Sequence, residues 1–266
     1  MTRILFLGDI VGKPGMSAVT EHLATIRLAH HIDLTVVNAE NAADGSGLTV
    51  RQFGQLVQSG VDAVTMGDHI YRKREIYPVL KKDPRIVRPA NFPAEAPGHR
   101  WTIVPAADGA RVAIFSLLGR VFTRPVDCPF AEADRVLEEL PDDVALKLVD
   151  VHAEATSDKQ LLGRYLDGRV TAVLGTHTHV PTADATVFPG GTAFQCDLGM
   201  TGPYHSIIGR NIARVLKTTI TFQPIHYHVA TDDVRLCGAI IDADPATGKA
   251  MSIQRFEQRV DEEGAT

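Results

Sequence analysis

The chain has 266 residues, 44% hydrophobic and 22% charged, which excludes a disordered, collagen-like or coiled-coil protein. Its 32 acidic against 27 basic side chains leave a formal net charge of -5, so there is no electrostatic case for gripping a long nucleic-acid duplex, although a small basic pocket is still allowed. Three cysteines, Cys128, Cys196 and Cys237, stand far apart without CxxC spacing, which argues against a disulfide framework or zinc ribbon and for a reducing cytoplasm. No apolar run reaches the roughly 18 residues of a membrane span. The run Ile4 to Val11 is too short for a signal peptide, and Asp9 interrupts it.

Taken in order, Arg3 to Leu7 reads as a buried strand ending at Gly8-Asp9. Gly15 to His30 has helical spacing through Met16, Val19, Leu23 and Ile26. Asp33 to Val37 is a second strand, followed by the turn-rich Asn38-Ala39-Glu40-Asn41. Thr49 to Ser59 reads as a helix and Val61 to Met66 as a third strand, the alternation of a parallel α/β sheet. Pro89 to Gly98 reads as a loop. Strands follow at Trp101 to Val104, Val112 to Leu117, Ala145 to Val151, Val170 to Leu174 and Ala183 to Val187. The β-branched run Thr218 to Val229 predicts another strand, and Val234 to Ile241 the last. Helices are predicted at Phe130 to Glu139 and Ser157 to Leu166, and the tail Asp261 to Thr266 is expected to fray. The whole, residues 1–266, reads as one α/β domain of mixed sheets with helices outside.

Polar residues recur where these strands end. Asp9 follows the first, Glu40-Asn41 the second and Asp68-His69 the third; His152 ends the Ala145 strand, and His177 and His179 follow the Val170 strand. Ligands bind at the carboxyl ends of strands in α/β sheets. Carboxylates and imidazoles converging there are a metal donor set. Asp9, Glu40 and Asp68 with His152, His177 and His179 exceed one tetrahedral site. A bridging Glu40 would suit two cations about 3.5–4 Å apart, an arrangement that serves phosphate ester hydrolysis.

Here the chain resembles the calcineurin-like metallophosphoesterases, through Gly8-Asp9, Gly67-Asp68-His69 and Gly175-Thr176-His177-Thr178-His179. It resembles their YmdB-like branch more narrowly, through Gly8 to Gly12, Asn38 to Asn41, His152 to Lys159 and Asp197 to Pro203. The resemblance implies a four-layer α/β/β/α sandwich with two divalent or mixed-valence metal ions, iron or manganese. It implies a phosphodiesterase acting on small phosphodiesters such as 2′,3′-cyclic nucleotides, through a hydroxide that bridges the metals. By carry-over, Asp9, Glu40 and His179 hold one metal; Glu40 bridges; Asp68, His152 and His177 hold the other. Asn41 would act at metal or phosphate, and His69 as the acid at the leaving oxygen. His205 is a further candidate for substrate contact.

Asp68 departs from the pattern, because the branch usually carries Asn there. Its extra charge should weaken Lewis acidity at the metal and make anionic substrates less welcome. That keeps open a regulatory protein that binds metal and nucleotide with weak or vestigial hydrolysis. A homo-oligomer would be ordinary for such an enzyme.

Read singly, each residue has a plainer role. Asp9 could cap the next helix, Asp68-His69 another, and Glu40-Asn41 could be only a turn. Gly12-Lys13 hints at a phosphate loop, but Leu7 stands where its first glycine is required and Pro14 where Ser or Thr is required. His226-Tyr227-His228 reads as one face of the β-branched strand.

Overall fold

The computed structural model describes residues 1–260; the tail expected to fray lies outside the described residues. Elements are numbered in chain order. In the first sheet, β1 (Thr2–Leu7) runs parallel to β3 (Leu34–Asn38), followed by β4 (Ala63–Thr65) and β5 (Ile86–Val87), also parallel. On its other side β1 pairs antiparallel with β13 (Val234–Ala243). That strand carries both β14 (Ala250–Arg259) and β12 (Met200–Pro203), and β2 (Asp9–Ile10) completes the edge beside β12. The second sheet has β6 (Trp101–Pro105), β7 (Arg111–Leu118), β8 (Leu146–His152), β9 (Ala172–Thr176), β11 (Ala193–Gln195) and β10 (Thr186–Val187), adjacent in that order.

Side-chain alternation stacks these sheets. Along β1, Leu5 and Leu7 face the helices α1 (Gly12–His30) and α2 (Val50–Gln58), where they join Val19, Leu23 and Phe53. Ile4 and Phe6 turn the other way, onto Val112, Ile114, Leu148 and Leu174 of the second sheet. The opposite faces of those strands, through Phe115, Val149 and Val173, pack on α4 (Pro129–Glu139) and α5 (Thr156–Tyr165) by way of Val136 and Leu162. Three apolar cores between four layers give the expected α/β/β/α sandwich. Strands covered on both faces need near-continuous apolar runs, which is why Arg3 to Leu7 and Val112 to Leu117 read as strands in the sequence.

The largest departure is the run Thr218 to Val229. It holds no strand: α6 (Ile212–Thr221) occupies its first part and irregular chain the rest. The Asn211 side chain accepts from the Arg214 amide and caps the helix start. Phe222, left-handed at φ 56°, stops the helix two residues before Pro224. β-branched residues favour a strand only where a sheet supplies neighbours, and α6 buries none of its residues. The Ala183 strand shrinks to Thr186–Val187. Val234 to Ile241 is not the last strand, since β14 follows as a largely exposed edge whose polar side chains hid it. β5, β11, β12 and α3 (Tyr77–Lys82) also went unpredicted, being too short for a periodic signal.

Candidate metal centre

The ends of β1, β3, β4, β8 and β9 meet at one edge of the sandwich, where both sheets contribute donors. One donor each from Glu40, Asp68, His152 and His177 lies within 4.8 Å of all the others. His152 Nε2 is 3.1 Å from Glu40 Oε1 and 3.5 Å from Asp68 Oδ1. His177 Nδ1 is 3.0 Å from His152 Nε2. On the other flank of Glu40, Asp9 Oδ1 is 3.6 Å from His179 Nε2. The Asn41 amide nitrogen sits between them, 3.2 Å from Asp9 Oδ1, 3.3 Å from His179 Nε2 and 3.4 Å from Glu40 Oε1. Asp9 does not cap α1: its carboxylate accepts from Asn41 and from the His177 amide, and the N-cap residue Val11 makes no side-chain bond.

Each imidazole is oriented by the bond its other nitrogen makes, as in metal sites generally. The Thr176 hydroxyl donates to buried Asp150 at 2.6 Å, so it accepts from His152 Nδ1 at 2.8 Å and leaves Nε2 facing inward. His177 Nε2 lies 3.2 Å from Glu154, which frees its Nδ1. His179 Nδ1 donates to the Ile208 carbonyl at 3.0 Å, which frees its Nε2. The lone pairs of His152 and His177 therefore converge, and they repel unless a proton or cation stands between them. Asp68 Oδ1 is buried without a hydrogen-bond partner. An orphaned carboxylate oxygen beside converging lone pairs fits a divalent cation.

Titration follows the same geometry. Burial pushes the Asp9 carboxyl up, but His179, His152 and the His177 amide outweigh it and hold it well below the usual carboxylate range. Asp68 is likewise held low, against burial, by His152, His69 and His177. Burial disfavours a charged His152, yet Glu40, Asp68 and Asp9 raise its pKa well above the ordinary value. His177 is lowered by burial and by the charge of His152. Without cations, protonated imidazole supplies the charge that the carboxylates demand.

Two supports gave no chemical signal in the sequence. Lys159 and Asp197 form a fully buried ion pair at 2.7 Å. Asp197 also accepts from the Thr178 amide at 3.1 Å and the Thr178 hydroxyl at 2.5 Å. They grip the loop on which His177 and His179 sit at φ 94° and 62°, strained for residues with a Cβ. The other support is Asp150, which accepts from Thr65 and Asn38 of the first sheet and Thr176 of the second. Glycine permits the close approach at Gly67, where a Cβ would stand 2.2 Å from the His152 ring and 2.4 Å from Glu40 Oε2.

His69 stands at the rim. Its amide donates to Glu40 at 3.0 Å, and its Nδ1 is 2.8 Å from Asn41 Oδ1. It lines a cavity of about 300 Å³ together with Asn41, His177, His179, Glu154 and Arg210. Glu154 lies within the His152 to Lys159 block without a sequence signal of its own role, and no motif marks Arg210. His205 is not brought to this cavity; it is exposed, and its amide donates to the Asp232 carbonyl.

Known proteins with this architecture define the class first. A solved structure described as a novel phosphatase from Mycoplasma pneumoniae superimposes with a TM-score of 0.90 at 31% identity, covering 98% of this chain and 95% of its own. The sandwich is of the metallophosphoesterase type. A hypothetical protein from Thermus thermophilus superimposes with a TM-score of 0.91 at 41% identity, covering 97% and 99%. A 2′,3′-cyclic-nucleotide 2′-phosphodiesterase from Bacillus subtilis (strain 168) is 45% identical over 254 residues, 96% of each chain. The profile of the family described as YmdB-like protein matches residues 5–256, and the chain belongs to that family. Among the described residues, no helix is long and apolar enough to cross a membrane.

Proposed function

We propose that this protein is a metal-dependent phosphodiesterase that hydrolyses small phosphodiesters, 2′,3′-cyclic nucleotides foremost, at a dinuclear centre. The observation that carries the reading is the position of Glu40: Asp68, His152 and His177 on one flank, Asp9, Asn41 and His179 on the other. Asp9, Glu40 and His179 would hold one cation and Asp68, His152 and His177 the second, with Glu40 shared. Bound there, two iron or manganese ions would supply Lewis acidity toward the phosphate and a nucleophile at neutral pH. The name of the Bacillus subtilis relative supports the substrate class, and the core shared by both sheets supports a single domain.

The chain's own groups do the rest. The Asn41 oxygen accepts from His69 Nδ1 and fixes the ring at the cavity rim. As an imidazolium, His69 then has Nε2–H left to protonate the departing ribose oxygen, a contribution of roughly 10²–10⁴ in rate. Arg210, on the same wall, offers charge to a non-reacting oxygen of the substrate. Glu154 orients His177 from outside the donor set. Release of the 2′-oxygen leaves a 3′-monophosphate.

The test is turnover of 2′,3′-cyclic AMP by protein reconstituted with manganese or iron. Hydrolysis to the 3′-monophosphate, lost on chelation and reduced by roughly a hundredfold or more in His69→Ala, is the expected result. Two bound metals with no turnover would instead select the regulatory reading that Asp68 keeps open.

A further inference from the structure

The cavity over the donor set does not end at its rim. Arg210, which lines it, also lines an adjoining cavity of about 730 Å³. Lys13 and Lys73 sit on the wall of that second cavity and pass on to a third, of about 420 Å³, which Arg51 also lines. The three volumes thus share residues in series, and a cation stands at each junction. Among the described residues none of these four cations forms an ion pair, while thirteen ion pairs elsewhere in the protein join lysine or arginine to a carboxylate. The Arg210 guanidinium donates to the Asp44 and Gly45 carbonyls, which fix its position without a direct carboxylate contact. Among the described residues, Asp44 is the one carboxylate lining the second and third cavities. In a chain of net charge -5, four cations in a row without an ion pair among the described residues are an anion track.

The second cavity also carries rings. His226, Tyr227 and His228, on the irregular chain after α6, line it, with the two imidazoles 5.2 Å apart. Flat rings beside a file of cations are how single-stranded nucleic acid is held without regard to sequence: bases stack and phosphates meet the charges. A cyclic mononucleotide has one phosphate, which the donor set would take, and nothing for Lys13, Lys73 or Arg51 to meet. An oligonucleotide ending in a 2′,3′-cyclic phosphate has a further phosphodiester on the 3′ side of every preceding nucleotide.

We propose that the substrate is the 3′ end of a single-stranded RNA closed by a 2′,3′-cyclic phosphate, with the preceding nucleotides lying along the Arg210, Lys73, Lys13 and Arg51 groove. The assignment rests on the phosphodiesterase reading above and deepens it. Hydrolysis is unchanged: water adds to phosphorus, the bond to the 2′-oxygen breaks, and that oxygen takes the proton. The net charge, which argues against long duplexes, does not oppose a strand of two or three nucleotides.

The test compares 2′,3′-cyclic AMP with a triadenylate ending in a 2′,3′-cyclic phosphate, using metal-loaded native protein and the double variant Lys13→Gln, Lys73→Gln. The native protein should prefer the trinucleotide in kcat/KM. Its two extra phosphates should steepen the fall with salt, by roughly 0.7 log units per log unit of salt for each phosphate neutralised. The double variant should lose both the extra slope and at least roughly tenfold of the preference ratio. Equal kcat/KM for the two substrates, or a preference and slope that survive the double variant, would overturn the proposal. If neither substrate is hydrolysed, the phosphodiesterase reading fails separately, and anisotropy of a 5′-fluorescein triadenylate decides the groove. Salt-sensitive binding weakened by the double variant upholds the groove, and no binding removes it.

Discussion

Gly67→Ala should empty the metal centre while leaving the fold intact. Gly67 is not in the left-handed region, so alanine is acceptable to the backbone and the whole effect is steric. The new Cβ would lie 2.2 Å from His152 Cδ2, 2.3 Å from Nε2 and 2.4 Å from Glu40 Oε2. Ordinary contact begins near 3.4 Å, so the imidazole must retreat by the difference of 3.4 and 2.2, or 1.2 Å. Both neighbours are fully buried, which leaves them no free direction to move. Metal sites tolerate about 0.2 Å in ligand distance, so a shift of this size removes two donors at once. Overpacking costs about 1–3 kcal/mol. A 1 Å misplacement at a reacting site costs on the order of 10²-fold in rate. Metal content by mass spectrometry, thermal unfolding and kcat/KM together test this. Gly54→Ala is the control: inside α2, with nothing within 4 Å of the added Cβ, it should stabilise by about 0.5–1 kcal/mol. A Gly67→Ala protein with full metal content and turnover within about threefold of native would refute the reasoning.

The other predictions concern charge and support. Asp68→Asn keeps an oxygen donor and removes one negative charge, so turnover of anionic substrate should rise by up to roughly tenfold, about 1.4 kcal/mol of barrier; steady-state kinetics at equal metal loading checks it. Lys159→Met strands the Asp197 carboxylate in the core, which should cost about 3–5 kcal/mol in denaturant unfolding. It should also release the Thr178 loop, seen as weaker metal binding. The pH response of the metal-free protein has two limbs. Asp9 and Asp68, lowered on folding, stabilise it above the unfolded carboxylate value near 4, and that contribution fades as pH falls further. His152, raised on folding, stabilises it below roughly 6.5, and this contribution is lost as pH rises through the higher folded value. Metal loading near pH 7 should therefore expel a proton from His152, measurable as a buffer-dependent heat in titration calorimetry.

The convergence of these side chains was legible because each stands at a strand end or within a few residues of one, and strand ends share one edge in an α/β sheet. Asp9, Glu40, Asp68, His152, His177 and His179 needed only that rule to be placed together. Lys159 and Asp197 were not legible, since a lysine in a helix and an aspartate after a strand look like surface residues until burial joins them. Asp150 hid inside an apolar run for the same reason. Arg210 gave no pattern because its role comes from a loop crossing between elements distant in sequence. The fold failed to show where tertiary neighbours decide: α6 took β-branched residues that no sheet received, and β14 took polar ones that β13 did.

The polar plug at Asp150 has one more consequence. Asn38 and Thr65 reach it from one sheet and Thr176 from the other, directly beneath the donor set. Cations held by Asp9, Glu40 and Asp68 on one side and by His152, His177 and His179 on the other would rivet the same seam from above. The centre is then a clasp between two halves of the chain, and neither half alone carries a complete set of ligands for it. Metal supply would govern how long the folded protein lasts as well as how fast it works, because ions that bind only the assembled seam draw the population toward it.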